Sequence, residues 1–266
     1  NCAVKDDVRA SAVVRARRLL QHNFRIKDGA FLAEGPQAVR EAALAGLVRD
    51  LFVTTEAHSR YLDICQSVSE QGGRVLVSTP EVLTQLSSTQ APQGMAAVVS
   101  TWSNSVEEVL HSESHLAVAC YAMRDPGNAG AVIRVADAVG ADGVLLSHDS
   151  VEVFNPKVVR ASVGSLFHLP IVQDANIFSA MTDAQSRGMQ VLVADASGVN
   201  LYTEVDLSKP TMWVFGNEAW GVPQDIRAQA TQTVSIPIFG KAESLNLATA
   251  AAVCLYATAQ HQHAVR

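Results

Sequence analysis

Residues 212–247 read MWVFGNEAWGVPQDIRAQATQTVSIPIFGKAESLNL, and this stretch decides the fold. Met212, Trp213, Val214 and Phe215 form a short apolar run of strand type. It breaks into Gly216-Asn217-Glu218-Ala219-Trp220-Gly221-Val222-Pro223, a loop rich in turn formers. A second strand-like run over 233–238 ends in Phe239-Gly240-Lys241, and after Glu243 the residues Ser244-Leu245-Asn246 open a long alanine-rich helix. Two loops thus follow two strands. In an open parallel sheet the loops beyond the carboxyl ends of the strands form the ligand crevice, and glycine lets backbone approach a ligand with no β-carbon in the way. Taken singly, Gly216 and Gly221 read as shapers of a surface turn, Pro223 as a first helical residue and Ser244 as an N-cap.

Working outward, apolar runs at 116–122, 143–146, 169–172, 191–194, 212–215 and 234–238 alternate with helical patterns at 128–139, 156–163, 177–187, 223–230 and 244–260. This alternation predicts a doubly wound parallel α/β sheet. A dinucleotide enzyme shares that architecture, but Gly127-Asn128-Ala129-Gly130 does not fit G-x-G-x-x-G, and no G-x-x-x-x-G-K-[ST] occurs. Further upstream, a helix over 8–22 with Val13, Leu19 and Leu20 among its apolar positions precedes a strand that turns at Gly35-Pro36. Helices at 37–45, 57–70 and 80–86 then alternate with strands at 51–54, 75–77 and 95–99, a second, smaller α/β domain. The polar, serine-rich residues that follow read as a linker. The predicted division is a front domain over 1–100, a linker over 101–114 and a C-terminal domain over 115–266.

The 266 residues are 48% hydrophobic, enough for a sizeable core. No apolar stretch spans a bilayer and no charged-then-apolar leader is visible, which predicts a cytoplasmic protein. The chain begins Asn1-Cys2 without methionine, so its native start is not defined. Cys2, Cys65, Cys120 and Cys254 form no C-x-x-C pair; they read as reduced thiols, mostly buried, with neither a metal site nor a disulfide framework. The formal charge of −6 is unevenly spread: the first forty residues carry eight basic against four acidic side chains. A local basic patch binds phosphate on an acidic protein, although a basic amphipathic helix also serves simply as a solvated face.

A further segment, Asp125-Pro126-Gly127-Asn128-Ala129-Gly130-Ala131-Val132-Ile133-Arg134, precedes the two loops described above. In this order the three blocks resemble the sequence motifs of the SpoU class of RNA ribose 2′-O-methyltransferases, α/β-knot enzymes that use S-adenosylmethionine. The resemblance covers roughly residues 115–260. It implies a C-terminal knot in which the chain threads through a loop, and a homodimer paired through that region. The strand entering Gly35-Pro36 and the alternation around it also resemble the small substrate-binding domain of many SpoU enzymes, similar in fold to ribosomal proteins that bind RNA.

Asn128, Arg134, Glu218, Ser244 and Asn246 fall on the family's catalytic motif positions. The resemblance implies that Gly216, Asn217, Gly221, Ile236, Ile238 and Leu245 hold the cofactor, largely through backbone groups around adenine and ribose. Methyl transfer to a 2′-hydroxyl is an in-line displacement that requires two positioned reactants and the loss of one proton. In the family the arginine matching Arg134 is proposed to act as, or help activate, the general base near the cofactor of the partner subunit, with Glu218 beside it. Arginine holds its proton too tightly for base chemistry, so Arg134 is read as orienting the hydroxyl and a neighbouring phosphate. Asn128 also reads as an N-cap. Arg15, Arg17, Arg18, Arg25 and Lys27 make up the expected RNA-binding patch, joined by Lys157 and Arg160 from Asn155-Pro156-Lys157-Val158-Val159-Arg160, another family-like segment.

Trp220 follows Ala219 where many relatives carry smaller or charged residues. The expected substrate is structured RNA, ribosomal rather than transfer RNA because of the front domain. The alternatives are a catalytically silent RNA-binding relative, a transfer-RNA enzyme, and a dehydrogenase or other nucleotide enzyme on a similar sheet; antibiotic resistance through ribosome methylation is compatible with the family and is not decided by the sequence.

Overall fold

The computed structural model describes residues 2–89 and 91–264, with the side chains of residues 2–9 outside the described set; Cys2, Lys5 and Arg9 fall there. The contacts divide the chain into two compact units, 1–102 with 153–167, and 103–152 with 168–266.

The first unit runs α1 (Cys2–Arg18), α2 (His22–Asp28), β1 (Ala30–Glu34), α3 (Pro36–Leu44), β2 (Val48–Val53), α4 (Thr55–Arg60), α5 (Leu62–Glu70), β3 (Arg74–Val77), α6 (Pro80–Leu86) and β4 (Met95–Ser100). Its sheet has the order β1-β4-β2-β3, with β4 antiparallel to both neighbours and β2 parallel to β3. Phe31, Leu32, Leu51, Phe52 and Val53 are fully buried. The helix expected over 8–22 stops at Arg18, because Arg25 folds back to donate to the carbonyls of Leu19 and Leu20 at 2.9 and 3.0 Å. The helix expected over 57–70 is two helices, broken where Tyr61 leaves helical geometry at φ −122° and ψ 47°. No glycine or proline marks that break in the sequence. One further piece, α9 (Pro156–Ser162) with the turn Ser165–Phe167, belongs to this unit. Phe154 sets its ring 4.7 Å from Phe31 and 5.0 Å from Trp102, and Phe167 completes the aromatic cluster.

The second unit contains α7 (Val106–Val109), β5 (Leu116–Cys120), α8 (Pro126–Ala138), β6 (Gly143–Ser147), β7 (Ile171–Ala175), α10 (Ile177–Ser186), β8 (Gln190–Asn200), β9 (Thr211–Phe215), α11 (Gln224–Gln229), β10 (Gln232–Ser235) and α12 (Leu247–Ala264). The six strands pair in parallel in the order β10-β8-β9-β5-β6-β7. Central strands β5 and β9 are buried at every position, as expected of apolar runs covered on both faces. Met212 and Val214 join a core with residues of α7, α10 and α11. Trp213 faces the other way, where its indole N–H donates to Thr258 of α12 at 2.9 Å. The doubly wound sheet is therefore as expected.

The differences are local. Helix α7 lies inside the stretch read as linker, fixed by a capping box in which the Ser105 amide donates to Glu108 at 2.5 Å. The last strand ends at Ser235, two residues before Pro237, which has no N–H to give a ladder. Among the described residues no helix is long and apolar enough to cross a membrane.

Candidate active site

The chain leaves β5 toward β6 and β7 on one side and then places β8 and β9 on the other, so the order of strand addition reverses between β5 and β9. In open α/β sheets the loops beyond the carboxyl ends at such a point make the crevice. Here the loop after β9 is closed by a pair of backbone bonds, each 2.9 Å, in which Asn217 and Gly221 exchange N–H and C=O. A β-carbon on Gly216 would lie 2.3 Å from the Gly221 carbonyl carbon and 2.6 Å from the Val222 nitrogen. Gly216 is thus required by the loop's own closure.

Side chains tie this loop to the one after β5. Asn217, 7% exposed, donates through Nδ2 to the Ala122 carbonyl at 2.8 Å and accepts the Ala219 amide through Oδ1 at 2.9 Å. Ala122 has a left-handed φ of 49°, uncommon for a residue with a side chain, and its amide donates to Ser147 Oγ at 2.7 Å. Glu218 accepts the backbone amides of Asp125 and Arg124 at 3.1 and 3.4 Å. Its described hydrogen bonds go to this backbone and none to Arg134.

Helix α8 is capped by Asp125, whose carboxylate accepts the Asn128 amide at 2.7 Å. The capping role considered for Asn128 therefore belongs to Asp125, and the Asn128 side chain instead accepts from Asn246 Nδ2 at 3.0 Å. Likewise α12 starts at Leu247, with Asn246 as its cap: its Oδ1 accepts the Thr249 amide at 3.2 Å. Ser244 precedes the helix and does not cap it.

Strand β8 contributes a feature that the sequence reading missed. Its register with β10 jumps from Thr233↔Val193 to Val234↔Val199, so residues 194–198 loop out of the pairing. Gly198 permits the return: a β-carbon there would sit 2.4 Å from the Val234 nitrogen. The looped segment carries Asp195, whose carboxylate accepts the Ser197 hydroxyl at 2.6 Å and amide at 2.9 Å. Partial burial pushes the Asp195 acid up, but the Ser197 hydrogen bonds and Arg227, 3.6 Å away, together hold it below the usual range. The rule applied to the loops after residues 215 and 238, that ligands meet the ends of parallel strands, would have found it.

These parts enclose a cavity of about 430 Å³ lined by Asn128, Ala194, Asp195, Ala196, Asn217, Glu218, Val234, Ile236, Ile238, Glu243, Ser244, Leu245, Asn246, Leu247 and Ala250. Its volume falls in the range of about 300–1,000 Å³ usual for small-molecule sites. Ile238 and Leu245, 39% and 38% exposed, form apolar wall rather than core. Apolar wall and amide groups together suit an uncharged heteroaromatic ring. Gly216 and Gly221 shape the site without lining it, and Arg134 does not line it either: it is exposed on α8 with no hydrogen bond or ion pair among the described residues.

Of the expected RNA-binding residues, Arg15, Arg17, Arg18 and Lys27 are exposed on α1 and α2, with Arg18 5.5 Å over the Phe24 ring. Arg25 is a correction: it is 3% exposed, and its guanidinium serves the Leu19 and Leu20 carbonyls. Lys157 and Arg160 are exposed on α9, where Arg160 donates to Ser88 and borders a cavity of about 180 Å³ with Glu34, Ser87 and Thr89.

Cys65, Cys120 and Cys254 are free and buried. Burial, reinforced by Glu218, pushes the Cys120 thiol up to about 12, and burial alone does the same to Cys254. Iodoacetamide at pH 8 is therefore expected to leave these three thiols unmodified in the native protein and to alkylate them after denaturation, as read by peptide mass spectrometry.

Comparison with known proteins identifies the family and the fold. The model of the SpoU rRNA methylase family matches residues 115–256, and that of an MRM3-like substrate-binding domain matches residues 11–97. The 23S rRNA (guanosine(2553)-2′-O)-methyltransferase RlmP of Bacillus subtilis is 32% identical over 90% of this chain and 92% of its own. Among solved structures, the AdoMet-bound rRNA methyltransferase of Sinorhizobium meliloti superposes with a TM-score of 0.84 at 30% identity, covering 94% of each chain. The SpoU methyltransferase AviRb of Streptomyces viridochromogenes, in complex with AdoMet, superposes with a TM-score of 0.81 at 30% identity over 96% of this chain and 99% of that one. The chain belongs to the SpoU rRNA methylase family.

Proposed function

We propose that this protein transfers the methyl group of S-adenosylmethionine to a ribose 2′-hydroxyl of ribosomal RNA, most specifically 23S rRNA. The observation that carries this reading is the convergence of Asn128, Glu218, Ser244 and Asn246 on one cavity at the reversal point of the sheet. Relatives of the same architecture are named 23S rRNA 2′-O-methyltransferases or were solved with AdoMet.

The cofactor supplies an electrophilic methyl group on a positively charged sulfur. Ile236, Ile238 and Leu245 would wall its adenosyl part, beside the backbone groups of Glu218, which the loop's own closure does not use. The Asn128–Asn246 pair holds the first turn of α8 against the start of α12, fixing where the acceptor ribose meets the cavity. Glu218 holds Arg124 and Asp125 in place and so positions the loop after β5. Ser244, with no hydrogen-bond partner among the described residues, is available to the ribose. Arg134 orients the hydroxyl and adjacent phosphate in the partner subunit's site. The active form is a homodimer paired through a knotted C-terminal domain, working in the cytoplasm. Residues 1–100, with Arg15, Arg17, Arg18 and Lys27 on their surface, dock the RNA, and residues 115–266, apart from the segment 153–167 that packs with the first unit, carry the chemistry.

Calorimetric titration with S-adenosylmethionine, its demethylated product, NADH and ATP tests the pocket assignment. Binding of S-adenosylmethionine and its demethylated product alone is expected. Asn246→Ala removes the bond to Asn128 and the cap of α12 together, and is expected to weaken cofactor binding and cost about 1–2 kcal/mol of stability by chemical denaturation. Equal binding of NADH, or none of S-adenosylmethionine even with RNA present, would overturn the assignment.

A further inference from the structure

Three carboxylates, Asp195, Glu218 and Glu243, line the cavity, and no lysine or arginine is among its described lining residues. Glu218 is engaged by backbone amides, and Arg227 approaches Asp195 from outside the lining. Glu243 is exposed, with no hydrogen bond or ion pair among the described residues. Asp195 shares its charge with Ser197 and with Arg227 of α11, while Glu243 has no described partner. An acidic cavity is an unfavourable neighbour for a polyanionic substrate, so its charge calls for a ligand of opposite sign.

We propose that Asp195 and Glu243 make the cavity selective for a cationic adenosyl cofactor, retaining the sulfonium form and releasing the neutral thioether. This rests on the cofactor assignment above and deepens it. Transfer breaks the methyl–sulfur bond with its electron pair left on sulfur, forms a methyl–oxygen bond from a lone pair of the ribose oxygen, and gives the hydroxyl proton to solvent. Sulfur thus passes from a positive charge to none. A partly buried carboxylate such as Asp195 feels that change more strongly than one in water, and the exposed Glu243 adds a weaker, solvent-screened attraction. The looped segment 194–198 brings Asp195 to the cavity, and Ser197 pins its carboxylate. Against partial burial, which pushes its acid up, the Ser197 bonds and Arg227 together hold it below the usual carboxylate range.

Calorimetry at fixed ionic strength tests this with four probes: S-adenosylmethionine, an amine analogue carrying C–NH3+ in place of the methylsulfonium, S-adenosylhomocysteine and adenosine. The wild type is expected to bind both cationic ligands about tenfold more tightly than the thioether, a difference of about 1.4 kcal/mol. In Asp195→Asn and Glu243→Gln, which keep shape and remove charge, the ratio is expected to fall to about threefold or less. Adenosine should bind wild type and variants alike, which shows that the cavity is intact. Thioether binding equal to that of the cationic ligands, or a ratio that survives both substitutions, overturns the proposal while leaving the cofactor assignment standing. Failure of all four ligands to bind would overturn both.

Discussion

Gly216→Ala is expected to lower the melting temperature by about 6–12 °C and to weaken S-adenosylmethionine binding by more than about tenfold. The new methyl group would meet backbone, not a side chain that can swing away: its nearest neighbours are the carbonyl carbon and oxygen of Gly221 at 2.3 and 2.5 Å. Relief requires parting the backbone pair between Asn217 and Gly221. Asn217 moves with that pair, and its Nδ2 holds the carbonyl of the left-handed Ala122. Overpacking of this kind costs about 3 kcal/mol. Gly240→Ala is the control, since a β-carbon there meets nothing within 4 Å. Differential scanning fluorimetry of the two variants separates a general cost of losing glycine from this collision. Equal melting temperatures for Gly216→Ala and wild type would contradict the geometry.

Arg134→Ala is expected to lower methyl transfer by about 10²–10³-fold while changing stability by less than about 0.5 kcal/mol. The side chain is exposed and makes no bond within the described chain, so its removal disturbs no packing. Its loss should appear in kcat, with cofactor binding unchanged because Arg134 does not line the cavity of its own chain. Arg134→Lys should recover less than about a tenth of the activity, because lysine lacks the planar two-pronged donor. The proposed action across the dimer gives a sharper test. Mixing Arg134→Ala with Asn246→Ala after unfolding and refolding makes heterodimers in which one site has both an intact cavity and an intact arginine. The mixture should then show about a quarter of wild-type activity from the intact sites, above the mean of the two variants measured separately. No recovery, with mixed dimers confirmed by mass spectrometry, would place Arg134 outside the partner's site.

How much of this was legible beforehand follows from the physics of each element. The strands of the second sheet were readable because β5 and β9 are buried on both faces, which demands unbroken apolar runs such as Leu116 to Cys120. The loop 216–223 was readable as a turn from its glycines and proline. That Gly216 is needed for contact with Gly221 was not, since the contact depends on how the loop closes. Capping was misplaced wherever several candidate residues stand close together: Asp125 and Asn128 both suit an N-cap, as do Ser244 and Asn246, and only geometry chooses. Arg25 resembled its exposed neighbours Arg17 and Arg18 in composition, but a turn of chain after Leu19 folds it inward. Asp195 escaped because the strand-like run 191–194 gives no sign that pairing resumes at Val199 after a looped segment. The break at Tyr61 has no local sequence cause.

Methyl transfer itself is tested most directly by incubating the protein with S-adenosylmethionine carrying a labelled methyl group and unmodified 23S rRNA, then digesting to nucleosides and separating them by mass. Label in a single 2′-O-methylated nucleoside, absent with Arg134→Ala, is the predicted result. Label on a base, or none in RNA despite measured cofactor binding, would contradict the account.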